Sequence, residues 1–194
     1  MKINENLNSD VERSLKSDLK SVAVTVLLMF LCIAILWTKY AWLMCVEVDG
    51  DSMNDTLVTG DLLLADRISG ASRGDVVVFE YNGKRYIKRL IAVGGDTVRI
   101  KDSHVYLKKS GERDFTLLVE DYAKGLTYTT NRAVFSGTDY TVSEGCFFAL
   151  GDNRQNSLDS RAFGEVPFSS LIGKVPQSII DAKDTFWNRF FKYL

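Results

Sequence analysis

Ser52 and Lys88 are the residues of this chain whose type and setting best suit covalent chemistry. Ser52 lies in the turn-rich stretch Asp49-Gly50-Asp51-Ser52-Met53-Asn54-Asp55-Thr56-Leu57. Lys88 lies in Arg85-Tyr86-Ile87-Lys88-Arg89-Leu90, which reads as a strand. A serine hydroxyl becomes a nucleophile when a base takes its proton. The chain has one histidine, so a Ser–His pair has little to draw on, and a buried lysine is a known substitute. Alternate strand residues share a face, which sets Lys88 between Tyr86 and Leu90 and turns Arg89 the other way. Lysine is ordinarily protonated, with a pKa of about 10.4. Desolvation lowers that value, a route closed to arginine. Gly50 lets the backbone approach a substrate closely. Met53 and Tyr86 offer substrate-facing surface, and a bend at Gly50 and Ser52 would aim backbone N–H groups at a developing oxyanion.

A third segment reads as support: Gly151-Asp152-Asn153-Arg154-Gln155-Asn156-Ser157-Leu158-Asp159-Ser160-Arg161. Its short polar side chains lie between the apolar Phe147-Phe148-Ala149-Leu150 and Phe163-Gly164. That density suggests a loop held by internal hydrogen bonds and ion pairs.

The elements that must position these groups read as mainly β. Strands are expected at 61–65, 75–81, 84–93, 96–101, 104–108, 146–150 and 171–175. Asn82-Gly83 marks a two-residue hairpin. Short strands with frequent turns predict an all-β, barrel-like antiparallel domain over residues 47–177, with an insert at about 101–145 whose polar, weakly patterned residues 109–138 are expected to be irregular with short strands. Residues 178–194 carry Ile179, Ile180, Phe186, Trp187, Phe190, Phe191 and Leu194 at helix-like spacing. Such a segment could rest on a membrane surface, pack on the domain, or fray.

Ser21 to Thr38 carries no charge, and Tyr40 to Val46 continues apolar beyond Lys39. A spanning helix needs about 20 apolar residues, and this stretch lacks the polar stripe of a soluble helix. Residues 21–46 are therefore expected to form an uncleaved single-pass anchor. Lys39 would snorkel, and Trp37, Tyr40 and Trp42 would form an interfacial belt. Bulky Tyr40-Ala41-Trp42-Leu43 does not suit a signal-peptide cleavage site. Lys2, Arg13, Lys16 and Lys20 place residues 1–20 in the cytoplasm and the β domain outside. The net charge of −1 argues against a nucleic-acid partner. The three cysteines show neither disulfide nor zinc spacing, and neither metal nor cofactor is expected. A cysteine protease built on Cys146 and His104 lacks supporting neighbours.

Taken together the segments resemble the bacterial type I signal peptidases. Ser52-Met53-x-x-Thr56-Leu57 resembles that family's nucleophile motif. Arg73-Gly74-Asp75-Val76-Val77-Val78-Phe79 and Lys88-Arg89 resemble its next two boxes, and Gly151-Asp152-Asn153 through Ser157, Asp159-Ser160-Arg161 and Phe163-Gly164 the last, in the family's order. The resemblance implies a membrane-anchored serine endopeptidase with Ser52 as nucleophile and Lys88 as general base. It implies that Ser157 orients the Lys88 amine, that Asp152 pairs with Arg89, and that Asp159 pairs with Arg161. Its substrates would be secretory pre-proteins cut after small residues, commonly Ala-x-Ala, at the outer face of a cell membrane. The bilayer, and the secretion machinery as a candidate, would be its partners.

Two departures stand out. The family usually has proline where Asp55 stands; Asp55 would either raise the Lys88 pKa or, the favoured reading, cap the turn through a backbone N–H. Gly50 replaces a hydroxyl-bearing oxyanion donor found in some members. The competing readings are a non-catalytic or specialised signal-peptide-binding paralogue and a Ser–Lys self-cleaving protease.

Overall fold

The computed structural model describes residues 2–128 and 139–182, and the chain divides into two compact units, Met1–Trp42 and Leu43–Leu194. The first is one helix, α1 (Lys2–Trp42). Its segment Asp18–Trp37 is long and apolar enough to cross a membrane, and none of it is buried by protein. Trp37 and Trp42 are exposed; the side chains of Lys39 and Tyr40 lie outside those described.

The second unit is mainly antiparallel β, as expected. Its strands are β1 (Leu43–Glu47), β2 (Leu62–Asp66), β3 (Val76–Tyr81), β4 (Lys84–Val93), β5 (Thr97–Lys101), β6 (His104–Lys108), β7 (Thr116–Leu117), β8 (Tyr140–Thr141), β9 (Cys146–Leu150), β10 (Val166–Pro167) and β11 (Leu171–Val175). Among the described residues they form two sheets, ordered β1-β2-β11-β3-β4-β9-β10 and β7-β6-β5-β8. Short helices α2 (Ser160–Phe163) and α3 (Gln177–Ala182) follow β9 and β11.

The β3–β4 hairpin carries the lysine. Asn82 and Gly83 both have positive φ, 50° and 72°, which suits the right-handed twist of the flanking strands. The register pairs Tyr81 with Lys84 and Val77 with Lys88. Val76, Val77, Val78 and Phe79 are all buried, because apolar clusters cover both faces. Val76 and Val78 join Val46, Met53, Leu57 and Leu63 on one side, while Val77, Phe79, Leu90 and Phe147 pack on the other.

β1 corrects the expected anchor boundary of residue 46. Leu43–Glu47 is a strand that pairs residue for residue with β2, and the helix before it ends at Trp42. A short apolar run has no helical or strand signature of its own; here the backbone partners offered by β2 decide it. The expected insert contributes β7 and β8 to the smaller sheet. Residues 129–138 within it lie outside the described residues, as does 183–194, which holds Phe186, Trp187, Phe190, Phe191 and Leu194.

Candidate active site

The turn after β1 brings Ser52 to the lysine on β4. Met53 and Leu57 anchor it, both fully buried in the core, and the Leu57 N–H donates to the Met53 carbonyl. Gly50 takes φ +92°, a conformation costly for other residues. Behind the turn runs the loop after β9. The Asn153 N–H donates to the Ser52 carbonyl at 3.0 Å, and the Asn153 side-chain amide donates to the Asp51 carbonyl at 3.0 Å. A Cβ on Gly151 would stand 2.5 Å from the Ser52 carbonyl oxygen and 2.2 Å from Ser157 Oγ. Only glycine permits that approach.

Lys88 Nζ lies 2.7 Å from Ser52 Oγ and donates to the Ile87 carbonyl at 2.8 Å. The lysine is 3% exposed. Desolvation pulls its pKa down to about 8, against the opposing pull of the Asp159 and Asp152 carboxylates. An amine in this state has a lone pair available close to neutral pH, within bonding distance of a hydroxyl. The Tyr86 ring centroid lies 5.6 Å from Nζ, on the face shared with Lys88.

Two buried ion pairs flank the Ser52–Lys88 pair. Arg89 grips Asp152 with both edges of a fork, Nε to Oδ1 at 2.9 Å and Nη2 to Oδ2 at 2.6 Å. Thr56 adds its hydroxyl to Asp152 Oδ2 at 2.6 Å, tying the Ser52 turn to the loop. Arg161 grips Asp159 in the same way, at 2.9 and 2.8 Å. Asp159 also caps α2 by accepting from the Arg161 N–H and accepts from the Gly151 N–H.

Three expectations are corrected. The bond from Ser157 to the Lys88 amine is not formed: the amine is bonded to Ser52 and to the Ile87 carbonyl, and Ser157 Oγ is buried without a partner among the described residues. The Gly50 N–H is not an open oxyanion donor, because it donates to Thr59 Oγ1 at 3.1 Å; the Ser52 N–H carries no hydrogen bond to the described residues. Asp55 neither caps the turn nor bears on Lys88. It follows a cis peptide bond, and its 80% exposed side chain meets Lys124 Nζ at 2.8 Å, drawn outward by a cation from the insert.

A cleft of about 580 Å³ opens at the dyad, with Ser52, Met53, Tyr86 and Lys88 on its wall beside Val78 and Ile87. Sequence reasoning missed several contributors. Arg154 is fully buried and pairs with Glu120 and with Thr127 Oγ1, and the Tyr122 ring lies 3.9 Å from the Arg89 guanidinium. Thr56 and Gly151 fall inside the quoted motifs. Glu120 and Tyr122 sit in a polar stretch with no periodicity to mark them.

The family model for signal peptidase, peptidase S26, matches residues 19–180. The chain belongs to that family. The enzyme is therefore a peptide-bond hydrolase of the serine type. It is 31% identical over 166 residues to signal peptidase IB of Staphylococcus aureus, covering 80% of this chain and 84% of that one. It is 35% identical over 137 residues to signal peptidase I of Bacillus caldolyticus, covering 66% and 74%. A solved signal peptidase I from Enterococcus faecalis V583 is 32% identical, with a TM-score of 0.44 over 56% of this chain and 99% of that one.

Proposed function

We propose that this peptidase removes N-terminal signal peptides from secreted pre-proteins, cutting after small residues with Ser52 as nucleophile and Lys88 as general base. The observation that carries the reading is the 2.7 Å separation of Lys88 Nζ from Ser52 Oγ inside a desolvated site. The neutral amine takes the Ser52 proton as Oγ attacks the scissile carbonyl carbon. The Ser52 N–H faces the oxyanion that forms. As the C–N bond breaks, the Lys88 ammonium returns the proton to the departing amine. The Lys88 amine, neutral again, then takes a proton from water as it attacks the acyl-enzyme ester, and returns that proton to Ser52 Oγ as the ester C–O bond breaks. Arg89–Asp152 and Arg161–Asp159 hold the geometry, and the apolar wall at Met53, Val78 and Ile87 suits small side chains of the Ala-x-Ala kind.

The apolar segment Asp18–Trp37 supports a single-pass membrane anchor. The basic residues before it support a cytoplasmic N-terminus and an extracytoplasmic peptidase unit. The bilayer is thus a partner, with the secretion machinery a candidate.

The test is cleavage of a purified pre-protein by the full chain in detergent, followed across pH. The working form of Lys88 is its neutral amine, so kcat/KM should climb as pH rises through about 8 and level off above it. An intact pre-protein under conditions where a known signal peptidase cuts would sink the reading in favour of a signal-peptide-binding paralogue. An acid limb that stays near pH 4–5 would assign the base to a carboxylate.

A further inference from the structure

Residues 120–127 of the insert run as a strap across the back of the support loop. The Lys124 N–H donates to the Asp152 carbonyl at 2.7 Å, and the Arg154 N–H donates to the Lys124 carbonyl at 3.0 Å, so the strap and loop are laced by backbone. Two side chains go deeper. Glu120 forms a forked pair with buried Arg154, whose Nε donates to the Gly151 carbonyl at 2.9 Å. The Tyr122 hydroxyl donates to Glu120 Oε1 at 3.0 Å. The Tyr122 ring lies over Arg89, 3.9 Å from guanidinium carbon to ring centroid. Burial and the Glu120 carboxylate raise the Tyr122 pKa, so the phenol stays neutral and donating.

We propose that Tyr122 is a positioning residue for the dyad, fixing Arg89 on Asp152 through its ring face. The proposal rests on the Ser52–Lys88 reading. Arg89 meets Asp152 along one edge and the Gly74 carbonyl at 2.8 Å through Nη1. The ring closes one guanidinium face, where an aromatic π-cloud attracts the cation. Asp152 in turn touches Thr56 on the nucleophile turn, and its charge opposes deprotonation of Lys88. A guanidinium seated on Asp152 neutralises that charge; one that drifts leaves it acting on the amine. The groups facing Tyr122 are Arg89, Glu120 and Arg154; those acting on the Lys88 amine are Asp152 and Asp159, each with its own arginine.

The experiment is a pH–rate profile of the full-length enzyme in detergent, on a peptide spanning an Ala-x-Ala cleavage site, for Tyr122→Phe, Tyr122→Leu and Tyr122→Ala. Tyr122→Phe keeps the ring and should stay within about twofold of the parent. Tyr122→Leu keeps apolar bulk without the π-face. It should lose about tenfold in kcat with KM little changed, and its acid limb should move to higher pH. Tyr122→Ala should do the same in the fraction that melts cooperatively, which covers an unfolded leucine variant. A leucine or alanine variant with a lowered melting temperature but an unmoved acid limb would overturn the proposal, leaving Tyr122 as packing. Equal loss in Tyr122→Phe and Tyr122→Leu would also overturn it. Failure of the underlying dyad reading is distinguished by Lys88→Ala: substantial residual cleavage there removes the reading itself.

Discussion

Ser52→Ala and Lys88→Ala are each expected to lower kcat by at least about 10³-fold, equivalent to about 4 kcal/mol of transition-state stabilisation. In the proposed reaction Ser52 supplies the bond-forming oxygen, and Lys88 Nζ lies 2.7 Å from it with no other base in bonding range of that hydroxyl among the described residues. Single-turnover cleavage of a pre-protein reads the loss, and substantial activity in either variant would refute the dyad. Lys88→Met separates function from stability. The native lysine has its pKa near 8 against an ordinary 10.5. Between those values the unfolded chain holds a proton that the native state lacks, so stability rises with pH across that window. Below pH 8 the burial penalty is present in full. Replacing the amine with an apolar chain of similar length should therefore abolish cleavage and raise stability at pH 7 by about 1–3 kcal/mol. A melting temperature equal to or below the parent's would contradict the desolvated site.

Arg89→Ala is expected to be the most destabilising single change outside the apolar core. Asp152 is completely buried and receives two bonds from Arg89. Removing the cation strands a charge without water, at a cost of about 3–5 kcal/mol. For a unit of this size that is roughly 10 °C in melting temperature. Surviving activity should need higher pH, because the uncompensated carboxylate favours the Lys88 ammonium. The double variant Arg89→Met with Asp152→Leu should recover much of the stability, since apolar side chains can fill a buried pair's volume, yet still cut slowly because the Thr56–Asp152 bond is lost. A loss under 1 kcal/mol in Arg89→Ala would show that the pair is not the brace described. By contrast the exposed Asp55–Lys124 pair belongs to the class worth at most about 1 kcal/mol.

The sequence by itself determined what is local. Asn82-Gly83 specifies the hairpin, because both positions need positive φ. The alternation in β4 sets Lys88 with Tyr86 and turns Arg89 to the other side. The uncharged run after Lys20 is long enough for a spanning helix. The partners of Arg89 and Arg161 were legible only through the motif resemblance. Tertiary structure decided the rest. Leu43–Glu47 carries an apolar composition that suits helix or strand, and the exposed edge of β2 makes it a strand. Ser157 and Gly50 lost their expected bonds because Lys88 is satisfied by the Ile87 carbonyl and the Gly50 N–H by Thr59. Those choices depend on three-dimensional placement that no residue pattern encodes. Glu120 and Tyr122 lie in a polar stretch without periodicity, and long-range pairing alone carries them to Arg154 and Arg89.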